Sequence, residues 1–247
     1  MRNPDSLALS GSCSKDHEMS NQPKFIFMLE PVYALSGQVI ARELLTRFAD
    51  DADINNKRNP NRDAGFFSQL SADIKWQLFL HQIEKLIQLY QKGFDQIVSV
   101  NVDRDIVASI FKDDEIQEKL AQLTLLRLEI SAFFTARFNS ADLLLLKGVA
   151  KVTPAPLWLD DFGPGYSNLN MLDSGIFEIV KIDKDFFWQF GDGRTFDILL
   201  DHLNELCNGV IVEGVENQQQ VDLLSRKAIY GMQGYFWQSI YLNDFIA

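Results

Sequence analysis

Leu157-Trp158-Leu159-Asp160-Asp161-Phe162-Gly163-Pro164-Gly165-Tyr166-Ser167 is a short apolar run that stops at two adjacent carboxylates and passes into a Gly/Pro-rich turn. Neighbouring acids repel unless a positive group sits between them or they face different partners. Side chains on a strand alternate between faces, but at its last residue the chain can turn and aim both acids at one site. A divalent cation, or two, is the usual reason to build that. A solvated surface pair is the plain alternative, and this stretch alone leaves both open.

The same pattern recurs along the chain. Ile97-Val98-Ser99-Val100 ends at Asn101, Leu125-Leu126-Arg127-Leu128 at Glu129, Phe177-Glu178-Ile179-Val180 at Lys181, Val210-Ile211-Val212 at Glu213, and Ile40-Ala41-Arg42 leads into Glu43. Scattered surface acids would not fall so regularly at the ends of buried-looking runs. One polar group per strand end is how a parallel barrel assembles a site on one rim.

Working outward, Phe25 to Pro31 and Val39 to Leu45 flank a Ser36-Gly37 turn, which predicts an antiparallel hairpin. Residues 50–63 are polar and predict a loop. Helical spacing covers Phe66 to Lys92, with Gly93 as its C-cap. Strands are then expected at 97–101, 125–130, 157–160, 178–182, 209–213 and 230–235. The helical patterns between them are Asp103–Lys119, Ala141–Val149, Asn168–Asp173, Asp185–Phe190, Arg194–Cys207 and Gln218–Lys227. The alternation predicts an α/β protein, a modified TIM-like (β/α)8 barrel with one antiparallel strand near the N-terminus. Residues 1–22 are Ser- and Asn-rich and are expected to form a flexible tail, leaving 23–247 as one domain.

Composition narrows the function classes. The 247 residues carry 23 basic and 34 acidic side chains, a net charge of −11, which argues against a general DNA binder. An acidic protein handling a phosphate substrate must offset repulsion locally, and metal ions do so. Cys13 and Cys207 do not suggest a disulfide scaffold, so a cytoplasmic location is expected. His17, His81 and His202 lie away from every strand end, which removes support for a zinc site or a His-based relay. No apolar run approaches a membrane span, and no signal-peptide core is present.

Glu43-Leu44-Leu45-Thr46-Arg47 resembles the signature of the EAL domain, the cyclic di-GMP phosphodiesterase family, with Leu44 in place of its Ala. The family's other blocks follow in order: Val100-Asn101-Val102, Leu128-Glu129-Ile130-Ser131, Asp160-Asp161-Phe162-Gly163, Val180-Lys181-Ile182-Asp183, Val212-Glu213-Gly214-Val215-Glu216 and Gln233-Gly234-Tyr235. Singly these are weak motifs; as an ordered set they are specific. With no sensor or cyclase segment beside them, they resemble short stand-alone members such as the enterobacterial phosphodiesterases acting on motility and fimbriae.

The resemblance implies hydrolysis of cyclic di-GMP to linear pGpG over two Mg²⁺ or Mn²⁺ ions. Glu43, Asn101, Glu129 and Asp160 would hold one ion, and Asp160 with Asp161 the other. Lys181 would hold or deprotonate the attacking water, and Glu213 would complete the metal or water shell. Arg47, Gln233 and Glu30 are expected at the substrate, with Glu216 and Asp183 supporting the loops. The donor chemistry agrees, since hard oxygen ligands without His or Cys select Mg²⁺ or Mn²⁺ over zinc. Plainer roles exist: a structural salt bridge for Lys181, a strand-end cap for Asn101, and packing for Phe162 and Tyr166.

Four positions depart from the family. Ala132 stands for a usual Glu, Pro164 for Thr, and Glu30 for Gln, while Phe236-Trp237-Gln238-Ser239-Ile240 lacks the usual Ser-basic-Pro. Loss of a carboxylate that orders a metal-proximal loop weakens binding by ~10–100-fold. The alternatives to a phosphodiesterase are therefore a cyclic di-GMP receptor that cleaves poorly and a protein-interaction regulator on the same fold. Family members often dimerise near the loop after the Asp pair, which makes a homodimer a candidate assembly.

Overall fold

In the computed structural model, the described residues are 25–48, 69–131, 139–163 and 169–246. The expected tail at 1–22, the loop at 50–63, Ala132, Pro164 and Tyr166 lie outside them.

A hairpin of β1 (Phe25–Tyr33) and β2 (Val39–Phe48) opens the chain. Gly37 supplies the positive φ of 81° that its turn requires. The chain then alternates: α1 (Ala72–Gln91), β3 (Ile97–Val102), α2 (Arg104–Ile110), α3 (Asp114–Ala121), β4 (Leu126–Ser131), α4 (Ser140–Val152), β5 (Leu157–Phe162), α5 (Leu169–Leu172), β6 (Phe177–Ile182), α6 (Lys184–Phe190), α7 (Arg194–Leu206), β7 (Val210–Val212), α8 (Gln218–Leu224) and β8 (Gly231–Gln233). A two-residue β9 (Ile240–Tyr241) and α9 (Asn243–Ile246) end it.

Strands β2 to β8 run parallel in sequence order, and β1 closes the barrel antiparallel to both β8 and β2. β9 adds to β1 through Met28 and Leu29. The expected barrel with one antiparallel N-terminal strand is thus present. The helix expected over Asp103–Lys119 is instead two, α2 and α3. The Asp113 carboxylate accepts the Ile116 N–H and caps a new N-terminus. β5 also runs on to Phe162, past its expected end at Asp160. No helix among the described residues is long and apolar enough to cross a membrane.

Two apolar layers follow from the strand period. Outward-facing Leu44, Val100, Leu128, Ile130, Leu159, Val180 and Val212 pack against Phe79, Ile83, Leu86, Val107, Leu146, Phe196 and Leu203 of the surrounding helices. Inside the barrel, Val32, Ala41, Trp158, Ile179 and Ile211 form a separate cluster, of which Trp158 is the largest side chain. This floor closes the lower half of the barrel as packed side chains rather than a pore.

Candidate active site

Moving two residues along a strand returns to the same face. On five strands that step leads from the floor to a charged group: Val32 to Glu30, Ala41 to Glu43, Trp158 to Asp160, Ile179 to Lys181 and Ile211 to Glu213. Because β1 runs antiparallel, Glu30 stands two residues before Val32 and lies directly opposite Glu43. Glu129 on β4 and Gln233 on β8 join the same layer.

Lys181 is the hub. Its ammonium lies 2.8 Å from Glu213, 2.9 Å from Glu43, 2.9 Å from Glu129 and 3.2 Å from Asp160, and its side chain is fully buried. Asn101 donates to the other Glu43 oxygen at 2.6 Å. Gln233 donates to Glu43 at 2.7 Å and to Glu30 at 3.3 Å. Among the described residues, Glu129 Oε1 and Gln233 Oε1 are buried without a hydrogen-bond partner. A buried carboxylate oxygen left this way is costly unless a cation or water completes it.

The paired acids are brought to one face by the backbone. Asp161 has φ 56°, a left-handed conformation rare for a residue with a Cβ, and the β5–β6 register shifts between Leu159 and Phe162. The irregularity re-aims Asp161, whose carboxylate accepts the Ser131 hydroxyl at 3.0 Å. Asp160, Asp161 and Glu213 each present an oxygen within 4.8 Å of the others. Ser131 was quoted with Glu129 in the sequence but given no role. The signal that could have found it is its position two residues beyond Glu129, on the same face of β4.

The crowding moves every titration. Burial, then repulsion from Glu43 and Asp160, pushes Glu129 up to about 8. Burial, reinforced by Asp161 and Glu43 against the pull of Lys181, raises Asp160 to about 7. Burial also raises Asp161, and raises Glu213 well above the usual carboxylate range. Glu43 alone is lowered, because Lys181, Gln233 and Asn101 together outweigh its burial. Burial works against the Lys181 charge, but four acids reverse that and hold its pKa well above the ordinary lysine value.

The EAL domain family model matches residues 16–239. The chain belongs to the EAL domain family. Cyclic di-GMP phosphodiesterase PdeH of Escherichia coli K12 is 28% identical over 213 residues, covering 84% of this chain and 80% of PdeH. The putative anti-FlhC(2)FlhD(4) factor YdiV of the same strain is 23% identical, covering 83% and 87%. The crystal structure of the EAL-like protein YdiV superposes with a TM-score of 0.71 at 21% identity, covering 89% of this chain and 94% of YdiV. The PaMucR phosphodiesterase in complex with c-di-GMP superposes at 0.70 and 21%, covering 89% and 98%. These likenesses share the barrel.

In this EAL domain three expected residues stand apart from the acid cluster. Arg47 lies four positions beyond Glu43 on β2, and its guanidinium donates to the Thr46 carbonyl at 3.2 Å. Asp183 caps α6, accepting from Asp185 and Phe186 N–H groups, while its own N–H bonds the Phe162 carbonyl at 3.0 Å. It thereby ties the end of β5 to α6. Glu216 is exposed, and the loop after Asp161 that it was expected to brace, Phe162 to Ser167, lies outside the described residues from 164 onward.

Proposed function

We propose that this EAL domain protein is a metal-dependent cyclic di-GMP phosphodiesterase that opens one ester to give linear pGpG. The observation that carries the proposal is the convergence of Glu43, Glu129, Asp160 and Glu213 on Lys181, with Asp161 beside them. Fully ionised, these five acids against one ammonium leave a negative balance that divalent cations would offset. The orphaned Glu129 oxygen and the all-oxygen donor set fit Mg²⁺ or Mn²⁺. Similarity to PdeH supports the substrate.

Glu43, Asn101, Glu129 and Asp160 would hold one ion, and Asp160 with Asp161 the second. Such ions, when bound, activate water and stabilise charge on the phosphate and leaving oxygens. The chain's own groups supply the rest. Lys181, within 3.2 Å of four acids of the cluster, is placed to hold or deprotonate the attacking water. Glu213, only partly covered and 2.8 Å from Lys181, is the carboxylate placed to accept a proton from that water. Gln233 orients the water near Glu43 through its remaining amide oxygen. Arg47, above the cluster on β2, suits a substrate phosphate through its forked donors.

Purified protein with Mg²⁺ or Mn²⁺ should convert cyclic di-GMP to pGpG, followed chromatographically, and Glu43→Ala should not. Equal turnover by parent and E43A would show that the site is misassigned. Similarity to YdiV, whose name describes opposition to a protein complex, supports a second reading as a protein-interaction regulator. That reading predicts no binding of labelled cyclic di-GMP at any metal level.

A further inference from the structure

Trp188 stands on α6, one turn beyond the strand that carries Lys181, and is 47% exposed. Here the indole N–H donates to the Gly214 carbonyl at 2.8 Å, which fixes the ring against the residue following Glu213. Gly214 has φ 75°, and an added Cβ would meet the Lys184 Cβ at 2.3 Å and the Trp188 Nε1 at 3.2 Å. The loop after β7 is therefore glycine-thin where α6 lies over it, and the indole is held against the backbone of the residue that follows Glu213. The Lys184 ammonium lies 6.0 Å from the ring centroid, the outer limit of a cation–π contact. That loose contact can yield to a phosphate oxygen.

On the other side of the same loop, Phe236 N–H donates to the Val215 carbonyl at 2.9 Å. Tyr235 and Phe236 are 49% and 40% exposed. Exposed aromatics thus flank a loop whose first residue, Glu213, belongs to the acid cluster. Single exposed aromatics are unremarkable on a surface; a rigid indole with an adjacent cation at the rim of a phosphodiester site has the features of a base-stacking platform.

We propose that the open face of Trp188 stacks on a purine base of the dinucleotide while Lys184 turns to its phosphate. This rests on the proposed substrate and adds what holds the base. Stacking is sequence-tolerant, so other purine cyclic dinucleotides would share the platform.

The test compares wild type, W188F and W188A for KM and kcat on cyclic di-GMP with Mn²⁺, alongside calorimetric affinity and melting temperature. W188A should raise KM and weaken affinity about 10- to 100-fold with kcat little changed, and W188F, which keeps a π face but loses the bond to Gly214, should lose clearly less than W188A. If W188A does not fold, W188L keeps bulk without a π face and carries the same comparison. Unchanged KM and affinity in W188A or W188L, with wild type active, overturns the role of Trp188 alone. Equal losses in W188F and W188A also overturn it, because the aromatic face would then not be what matters. A wild type that binds without cleaving supports or overturns the platform by affinity alone. A wild type that does neither overturns both this proposal and the phosphodiesterase.

Discussion

The barrel interior holds two layers one pleat apart, a floor of Val32, Ala41, Trp158, Ile179 and Ile211 and a charged layer of Glu30, Glu43, Asp160, Lys181 and Glu213. They occupy the same strands and all but Glu213 are buried to a similar degree. The floor gains by leaving water, since apolar area contributes roughly 25 cal/mol per Å². The charged layer loses by it, and one ammonium cannot compensate so many acids. A single step of the strand period separates what holds the barrel together from what must be completed by a ligand.

The largest effect expected is on chemistry. Loss of Glu43, which accepts from Lys181, Asn101 and Gln233 at once, should lower cyclic di-GMP cleavage by more than about 100-fold, beyond the ~10–100-fold typical of removing a partner one shell out. The melting temperature of E43A should fall modestly in chelator, because Lys181, Asn101 and Gln233 lose a shared acceptor, so its main effect is on cleavage. The floor should answer mainly in stability. Trp158→Ala opens a cavity costing about 3–5 kcal/mol. The melting temperature should fall by on the order of 10 °C. Cleavage per folded molecule should survive better than in E43A. A W158A protein that melts like wild type would erase the distinction between the layers.

Lys181→Met sharpens it. Removing one partner of a buried ion pair costs about 3 kcal/mol or more. In chelator K181M should melt well below wild type, and Mn²⁺ should recover a larger share of stability in the mutant than in the parent. Equal responses to Mn²⁺ would mean that Lys181 does not stand where cationic charge is needed.

The strand ends were legible from sequence because apolar runs stopping at Glu43, Asn101, Glu129, Asp160, Lys181 and Glu213 carry both fold and site in one pattern. The floor beneath them followed from the same alternation without being named. What was not legible depended on local backbone chemistry or on long-range contact. Asp enters the left-handed region more readily than most residues, but nothing along the chain marks Asp161 rather than Asp160 for it. The convergence of four acids on Lys181 spans β2, β4, β5 and the end of β7, and spacing along the chain cannot show it. The break between α2 and α3 was recoverable, because Asp113 precedes Asp114 and Glu115 as a helix start does.

The pH dependence gives a subtler separation. In chelated protein Glu129 titrates at about 8 and Asp160 at about 7, both above their unfolded values. Between pH 5 and 8 the folded state then holds more protons than the unfolded one, so stability is fullest at the acid end and falls as pH rises toward 8. Chemical denaturation across that range should show the fall in chelator, with a flatter profile once Mn²⁺ neutralises the acids. A rise with pH in chelator would contradict the raised values. Smallest is Ser131→Ala, which removes the bond to Asp161 and should weaken Mn²⁺ affinity about 10-fold with an unchanged melting temperature.

The central claim is that the charged layer is built for a pair of divalent cations. Calorimetric titration of Mn²⁺ into chelator-stripped protein tests it most directly. Two ions per chain, with binding lost in a D160A variant, is the predicted result. No measurable uptake, or uptake that D160A leaves untouched, would contradict it.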